Sequence, residues 1–228
     1  MGTAVLWGTV AASSLVIGAL LAIARDWPDQ LVGLVLAFGA GALISAVSFE
    51  LAEDGVEIGG GLAVGIGLAV GALTYFFLDS RLEAGGSNPA TALALGAFLD
   101  GVPEQLVLGL GIAIGGEVGV SLIVAIFVSN LPEAIGSARA MRERGRDART
   151  ILRLWVAVAV VCLLATVVGY AAGDTLSGEL EGGVNGFAAG ALLVMLTDSM
   201  IPEARKAGRT AGLATVFGFA VAAGLSVT

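Results

Sequence analysis

Eight long apolar segments constrain the fold of this chain more than any other feature. A helix needs about 17–25 mostly apolar residues to cross a bilayer, and eight segments approach or reach that length. They are residues 3–24, 31–51, 58–78, 89–114, 119–140, 151–173, 182–201 and 208–228. The connections between them are short, which leaves no room for a separate soluble domain. The sequence therefore predicts an all-α integral membrane protein with eight transmembrane helices, in which residues 1–228 form a single transmembrane domain.

Composition agrees with this class. The chain is 57% hydrophobic and 13% charged, whereas a soluble domain carries about 25% charged residues. We expect a multi-pass protein of the cell membrane, in contact with the lipid bilayer. Its net charge of −8 predicts no nucleic-acid partner. The single cysteine, Cys162, excludes an intramolecular disulfide, and the chain has no histidine, so any metal must bind to oxygen ligands.

The basic residues predict the orientation of the helices. Lys and Arg concentrate in cytoplasmic loops, and with eight spans all eleven basic residues fall on one side. Six of them flank the connection between spans five and six: Arg139, Arg142, Arg144, Arg146, Arg149 and Arg153. We interpret these arginines as topology anchors. Both termini are then extracytoplasmic.

Spans two and seven suggest an internal repeat. The segment at 38–43, FGAGAL, resembles the segment at 187–192, FAAGAL. Span two runs outward and span seven inward, so the repeat is inverted and relates helices 1–3 to helices 6–8, a pattern found in secondary transporters. Gly- and Ala-rich sequences also match one another easily, because small residues are common where membrane helices pack.

Spans four and five each carry a proline followed by a glutamate: Pro103-Glu104 and Pro132-Glu133. At 3.6 residues per turn, Asp100 shares a face with Glu104, and Ser129 shares one with Glu133, with Asn130 close by. Each proline also frees the carbonyl four residues earlier from its helical hydrogen bond. The two spans thus each present a stripe of oxygen ligands.

Asp100, Glu104 and Glu133 lie in a stretch of sequence, between Arg81 and Arg139, that contains no basic residue. An ionised group near mid-span costs roughly 2.5–3.5 kcal/mol or more, and no Lys, Arg or His lies in a span outside its first or last three residues. The acids must therefore be neutralised by protons or by a bound cation. Protonated, hydrogen-bonded acids are the simpler explanation, but three acids with Ser129 and Asn130 on neighbouring proline-containing spans favour a cation site. Oxygen ligands suit Mg, Mn, Ca or ferrous iron, and zinc is less favoured because it usually binds imidazole or thiolate.

Further acids lie near the span ends. Glu50, Glu53 and Asp54 are placed to attract cations at the outer face, and Asp198 and Glu203 to release them at the inner face. Acids at such positions are also often simply solvated, so both interpretations stay open.

At these residues the chain resembles the ZIP family of divalent-metal transporters. The family pattern His-Asn-x-Pro-Glu-Gly is similar to residues 100–105, DGVPEQ, and a like pattern matches residues 129–134, SNLPEA. The resemblance implies a 3+2+3 helix bundle, a homodimer, and inward transport of zinc, iron or manganese by motion of one helix group against another. It also implies that Asp100, Glu104, Ser129 and Glu133 form the metal site between helices 4 and 5, with Asn130 in an adjoining position.

The chain departs from the family pattern in ways that keep a second hypothesis open. Asp100 and Ser129 replace stronger ligands, Gly101 offers no side chain, and residues 151–173 contain no carboxylate. The alternative is a non-transporting ZIP-like membrane protein, a sensor or an assembly scaffold. We expect no enzyme activity, because the HExxH and G-x-S-x-G motifs are absent and no histidine is present to act as a base.

Overall fold

The computed structural model describes the backbone of residues 1–84, 89–113, 120–173 and 176–226, and the side chains of residues 1–81, 101–113, 122–173 and 176–226. Within these ranges the structure is helical and contains no strand. The α-helices are α1 (Gly2–Ala24), α2 (Asp29–Ala46), α3 (Asp54–Ala84), α4 (Pro89–Ala113), α5 (Val120–Glu143), α6 (Ala148–Gly173), α7 (Gly178–Met195), α8 (Ile201–Arg205) and α9 (Ala211–Ser226). Two π-helical segments, π1 (Val47–Glu53) and π2 (Leu196–Met200), continue α2 and α7.

The predicted class, an all-α membrane protein, is confirmed. Five described stretches are long and apolar enough to cross a bilayer: Gly2–Ala24, Asp29–Arg81, Leu122–Glu143, Ala148–Gly173 and Gly178–Arg205. The second has 53 residues, about twice the length of one span, and contains both α2 and α3. Apolar helices also cover Gly101–Ala113 and Ala211–Ser226. Each of the eight predicted spans overlaps a helix, although the number of crossings stays a prediction.

The helices pack into two bundles. In the first bundle, α1 packs on α5 and α6, and α4 packs on α6. In the second, α3 packs on α7, and α2 packs on α9 and α8. The bundles meet chiefly along α2 and α5. Chain order alone does not give this grouping, because α1 and α6 join α4 and α5 rather than α2, α3 and α7.

Close backbone contact holds each bundle together. A Cβ atom on Gly71 of α3 would lie 1.9 Å from the Phe187 carbonyl oxygen of α7, and one on Gly169 of α6 would lie 2.0 Å from the Leu106 carbonyl oxygen of α4. Lipid tails are as apolar as leucine side chains, so membrane helices associate by fit rather than by the hydrophobic effect. Glycine at these positions permits that fit.

The helical path breaks at Gly60, near the start of α3. Its φ of 81° and ψ of 156° are not helical, and this region of φ is accessible mainly to glycine. Residues 54–59 thus form a short helical extension of π1, and the long apolar part of α3 follows the break. Span three was predicted to begin at residue 58, close to this point.

Candidate metal site

The structure brings together two of the predicted site residues across the α4–α5 contact. Asn130 Nδ2 donates a hydrogen bond of 3.1 Å to Glu104 Oε2. Both side chains are buried, with 1% of Glu104 and 2% of Asn130 exposed. A buried carboxylate is stable only where its oxygens find partners, and the Asn130 amide is one such partner.

Ser129 and Glu133 lie beside this contact on α5. Ser129 is 2% exposed, and its hydroxyl donates to the Ile126 carbonyl oxygen at 3.1 Å. The Ser129 oxygen keeps lone pairs for a second interaction, because a hydroxyl accepts as well as donates. Glu133 is partly buried, one turn further along the same helix. These residues form the stripe on α5 that the spacing predicts.

Asp100 lies one turn before Glu104 on α4, but its side chain lies outside the described residues. Among the described residues, no three acidic or cysteine side chains converge closely enough to hold a metal ion. The predicted ligand set therefore stays a prediction. Its acids with described side chains are Glu104 and Glu133, and the other described oxygen donors come from Ser129 and Asn130.

Both prolines lie inside helices that continue through them, Pro103 in α4 and Pro132 in α5. Pro132 has no N–H for the carbonyl of Val128. Gly39 of α2 lies against this point, since a Cβ atom there would be 3.0 Å from the Val128 carbonyl oxygen and 2.9 Å from Ser129 Cα. The second bundle thus makes close backbone contact with the first beside the candidate ligands.

A second polar contact lies directly behind Glu104, and the sequence motifs did not point to it. The Thr166 hydroxyl of α6 donates to Gln105 Oε1, and Gln105 is 1% exposed. Gln105 Nε2 is buried without a hydrogen-bond partner in the described structure. Thr166, a polar residue within the apolar run of α6, was the available sequence signal. This contact fixes the segment of α4 that carries Glu104 against α6.

The acids predicted at the outer face, which we call the outer mouth, differ in how far they are buried. Glu50 of π1 is partly buried, and the backbone of Leu122 at the start of α5 hydrogen-bonds its carboxylate. Its Oε1 atom is buried and has no partner among the described residues. Glu53 and Asp54 are exposed. Glu50 is therefore the member of this set that reaches the contact between the bundles.

The acids predicted at the inner mouth are both exposed. Asp198 lies in π2 and Glu203 in α8, where Glu203 forms an ion pair with Lys206. Neither acid lies among the buried residues near Glu104.

Two arginines at the end of α5 form ion pairs with acids near the start of α2. Arg139 pairs with Asp29 at the start of α2, and Arg142 pairs with Asp26 in the connection before it. We call the part of the molecule where α1 and α5 end and α2 begins the basic end. The sequence did not indicate which carboxylates these arginines would contact.

Comparison with known proteins agrees with the motifs. The family model described as ZIP zinc transporter matches residues 79–226. A candidate zinc transporter of Arabidopsis thaliana is 25% identical to this chain over 238 aligned positions, which cover 97% of the chain. The chain spans 38% of the length of that relative.

Proposed function

Because the chain belongs to the ZIP zinc transporter family, we propose that it carries a divalent cation across the membrane toward the cytoplasm. The observation that carries the proposal is the buried contact between Glu104 and Asn130, which joins α4 and α5. No Lys, Arg or His occurs between Arg81 and Arg139, so no basic residue of these two helices before Arg139 can neutralise the acids. A mobile cation supplies that charge when it binds.

The proposed ligands are Asp100, Glu104, Ser129, Asn130 and Glu133. All of them offer oxygen, and the chain contains no imidazole. Oxygen ligands favour manganese or ferrous iron, whereas zinc usually prefers nitrogen or sulfur. The family description names zinc, so the cation is zinc, iron or manganese.

The packing pattern supports the inverted repeat. In such a repeat α1 corresponds to α6, α2 to α7, α3 to α9 and α4 to α5. The packed pair α1–α5 then corresponds to the pair α6–α4, and the pair α3–α7 corresponds to α9–α2. All four pairs are in contact. In addition, π1 and π2 each begin nine residues after the corresponding phenylalanines, Phe38 and Phe187. Two related halves of opposite orientation suit a carrier whose site opens alternately to each side.

The proposed orientation places the basic end in the cytoplasm and both termini outside. Glu50, Glu53 and Asp54 then lie at the outer mouth, and Asp198 and Glu203 at the inner mouth. We propose that the protein functions in the cell membrane as a homodimer, which the mass of the purified protein in detergent would test.

Flux into proteoliposomes tests the function. We expect uptake of Mn²⁺, Fe²⁺ or Zn²⁺ that Glu104→Gln and Glu133→Gln each abolish, while Glu179→Gln, at an exposed acid on α7, leaves uptake unchanged. Uptake insensitive to both site variants would refute the site. Absence of uptake of all three ions by folded protein would favour the non-transporting alternative, a sensor or scaffold.

A further inference from the structure

A cavity at the basic end lies between the two bundles. Its volume is about 400 Å³, and its walls come from α2, α5 and α8. Leu36 of α2 and Ile135 of α5 line it. Leu36 precedes Gly39, the residue against Ser129, by three positions, and Ile135 follows Glu133 by two. The cavity therefore begins about one helical turn below the candidate metal site.

Charged side chains surround the mouth of this cavity. Asp29, Arg139, Glu143, Glu203 and Lys206 all line it. Glu203 pairs with Lys206 within one segment. Arg139 is different, because it connects the two bundles. Its Nε donates to Glu143 Oε1 of its own helix at 2.9 Å. Its Nη1 pairs with Asp29, the first residue of α2, and this pair joins the first bundle to the second.

Arg139 also contacts the chain just before α2. Its Nη1 lies 3.3 Å from the Trp27 carbonyl oxygen. One guanidinium thus holds α5 of the first bundle to the beginning of α2 in the second, across the mouth of the cavity. Its side chain is 31% exposed and that of Asp29 is 85% exposed, so water reaches the contact and weakens it.

Arg142, one turn away from Arg139, offers a matched comparison. It pairs with Asp26 and donates to the Ala22 carbonyl oxygen at 2.7 Å. Ala22 belongs to α1, which is in the same bundle as α5, and Asp26 lies in the connection that follows α1. Its side chain is 33% exposed, close to the value for Arg139. The two arginines therefore differ mainly in whether they join the bundles.

We propose that this cavity is the cytoplasmic vestibule of the transport route, and that Arg139 is its gate residue, opening the vestibule when its pair with Asp29 separates. The inference rests on the proposed transport function. A guanidinium at the mouth also repels a divalent cation and offsets part of the negative charge of Asp29 and Glu143. The cation leaves more easily once Arg139 has moved aside.

A cysteine-accessibility experiment tests the gate without requiring transport. Leu36 is 4% exposed and lines the inner part of the cavity, so Leu36→Cys reports opening through its reaction with a charged thiol reagent. The parent chain gives the background rate, because its sole cysteine, Cys162, is buried. Gly136→Cys serves as the reactive reference, since Gly136 lines the cavity and a Cβ there meets no atom within 4 Å.

In metal-free protein in lipid nanodiscs, we expect Arg139→Gln and Asp29→Asn to raise the modification rate of Leu36→Cys about two- to fivefold, the range for an exposed ion pair. Arg142→Gln should leave the rate unchanged. Exchange of the two charges, Arg139→Glu with Asp29→Arg, should bring the rate back toward that of the parent. Equal rates for the Arg139 and Arg142 variants would overturn the proposal.

Thermal unfolding of the same variants separates a gate from a static clamp. A lower melting temperature for Arg139→Gln with no change in accessibility means that the residue only stabilises the fold, which also overturns the proposal.

Flux measurements separate the gate proposal from the proposed transport function. If the accessibility of Leu36→Cys responds as expected but the parent protein transports no metal, the gate proposal is retained and the proposed function is refuted. If the parent transports metal but the accessibility does not respond, the gate proposal is refuted and the proposed function is retained.

Discussion

Carboxylates in the interior of this protein and carboxylates at its basic end have different partners. Glu104, 1% exposed, accepts a hydrogen bond from the neutral Asn130 amide. At the basic end, Asp26, Asp29, Glu143 and Glu203 all pair with arginine or lysine. Basic side chains are thus present at the basic end, where water already screens the acids. Glu104 instead lies in the stretch between Arg81 and Arg139, which contains no Lys, Arg or His. This difference fits the proposal that a mobile cation balances the interior charge.

The largest expected difference between the two regions concerns metal affinity. Glu104→Gln removes a charged oxygen from the proposed ligand set while keeping the size of the side chain. Interactions of charged groups are worth about 1.5–3 kcal/mol, so the Kd for Mn²⁺ or Zn²⁺ should rise about ten- to hundredfold. Titration calorimetry of the purified protein measures it.

The matched control for this change is Glu143→Gln at the basic end. Its carboxylate pairs with Arg139 and lies outside the candidate site, so the Kd should stay within about twofold of the parent, as for an exposed ion pair. A larger loss for Glu143→Gln than for Glu104→Gln would place the metal at the basic end and break the comparison.

Close packing of the interior is the next test. Gly71→Ala would put a methyl group 1.9 Å from the Phe187 carbonyl oxygen, and overpacking of this kind costs typically about 1–3 kcal/mol. We expect a lower melting temperature by differential scanning fluorimetry. At Gly65, on the same helix, a Cβ atom meets nothing within 4 Å, so Gly65→Ala should leave stability unchanged or raise it. Equal effects at the two positions would mean that α3 and α7 are not in backbone contact.

A smaller effect is expected from the neutral partner of the interior carboxylate. Asn130→Ala removes the donor to Glu104 Oε2 and one proposed ligand, at a cost of about 1 kcal/mol, so the metal Kd should rise about fivefold. Asn185→Ala is the control, since Asn185 is also buried but lies on α7. Should Asn185→Ala weaken metal binding as much, the contribution of Asn130 would be structural rather than direct.

Helix spacing predicted which polar side chains share a face on α4 and on α5, because 3.6 residues per turn determines this. The resemblance to the ZIP family implied that the two polar stripes meet, and Asn130 of α5 does hydrogen-bond Glu104 of α4. Spacing does not determine side-chain direction, however. Ser129 hydrogen-bonds the Ile126 carbonyl of its own helix.

Helix partners were harder to predict than helix positions. The chain contains 35 glycines, and small residues at many positions permit close packing with more than one neighbour. Nothing in the sequence therefore indicated that α1 and α6 would join α4 and α5. For the same reason Arg139 and Arg142, equivalent as anchors in the sequence, could not be assigned to different carboxylates.

The turn after α5 tests the backbone of the basic end. Gly145 has a φ of 80°, and the Gly145 and Arg146 N–H groups donate to the carbonyls of Arg142 and Met141 at 2.9 and 3.1 Å, the pattern of a Schellman motif. Gly145→Ala should cost about 1 kcal/mol of stability, because this conformation strains a Cβ atom. Gly145→Asn should cost less, since asparagine tolerates it better. An equal loss for both variants would argue against the turn.

The smallest expected effect comes from the cap of α6, also at the basic end. The Thr150 hydroxyl and backbone N–H hydrogen-bond the Asp147 carboxylate and, with other backbone N–H groups, lower its pKa below the ordinary value of 3.8. A carboxylate whose pKa falls on folding stabilises the folded state above its unfolded pKa, and this contribution is lost as the pH falls through its folded pKa. The parent should therefore exceed Asp147→Asn in melting temperature at neutral pH, with the difference shrinking below about pH 4. Because Asp147 is fully exposed, the difference should be slight and should decrease in high salt, whereas the effect of Glu104→Gln on metal affinity should persist. A pH-independent difference would show that asparagine and aspartate differ here by geometry and not by charge.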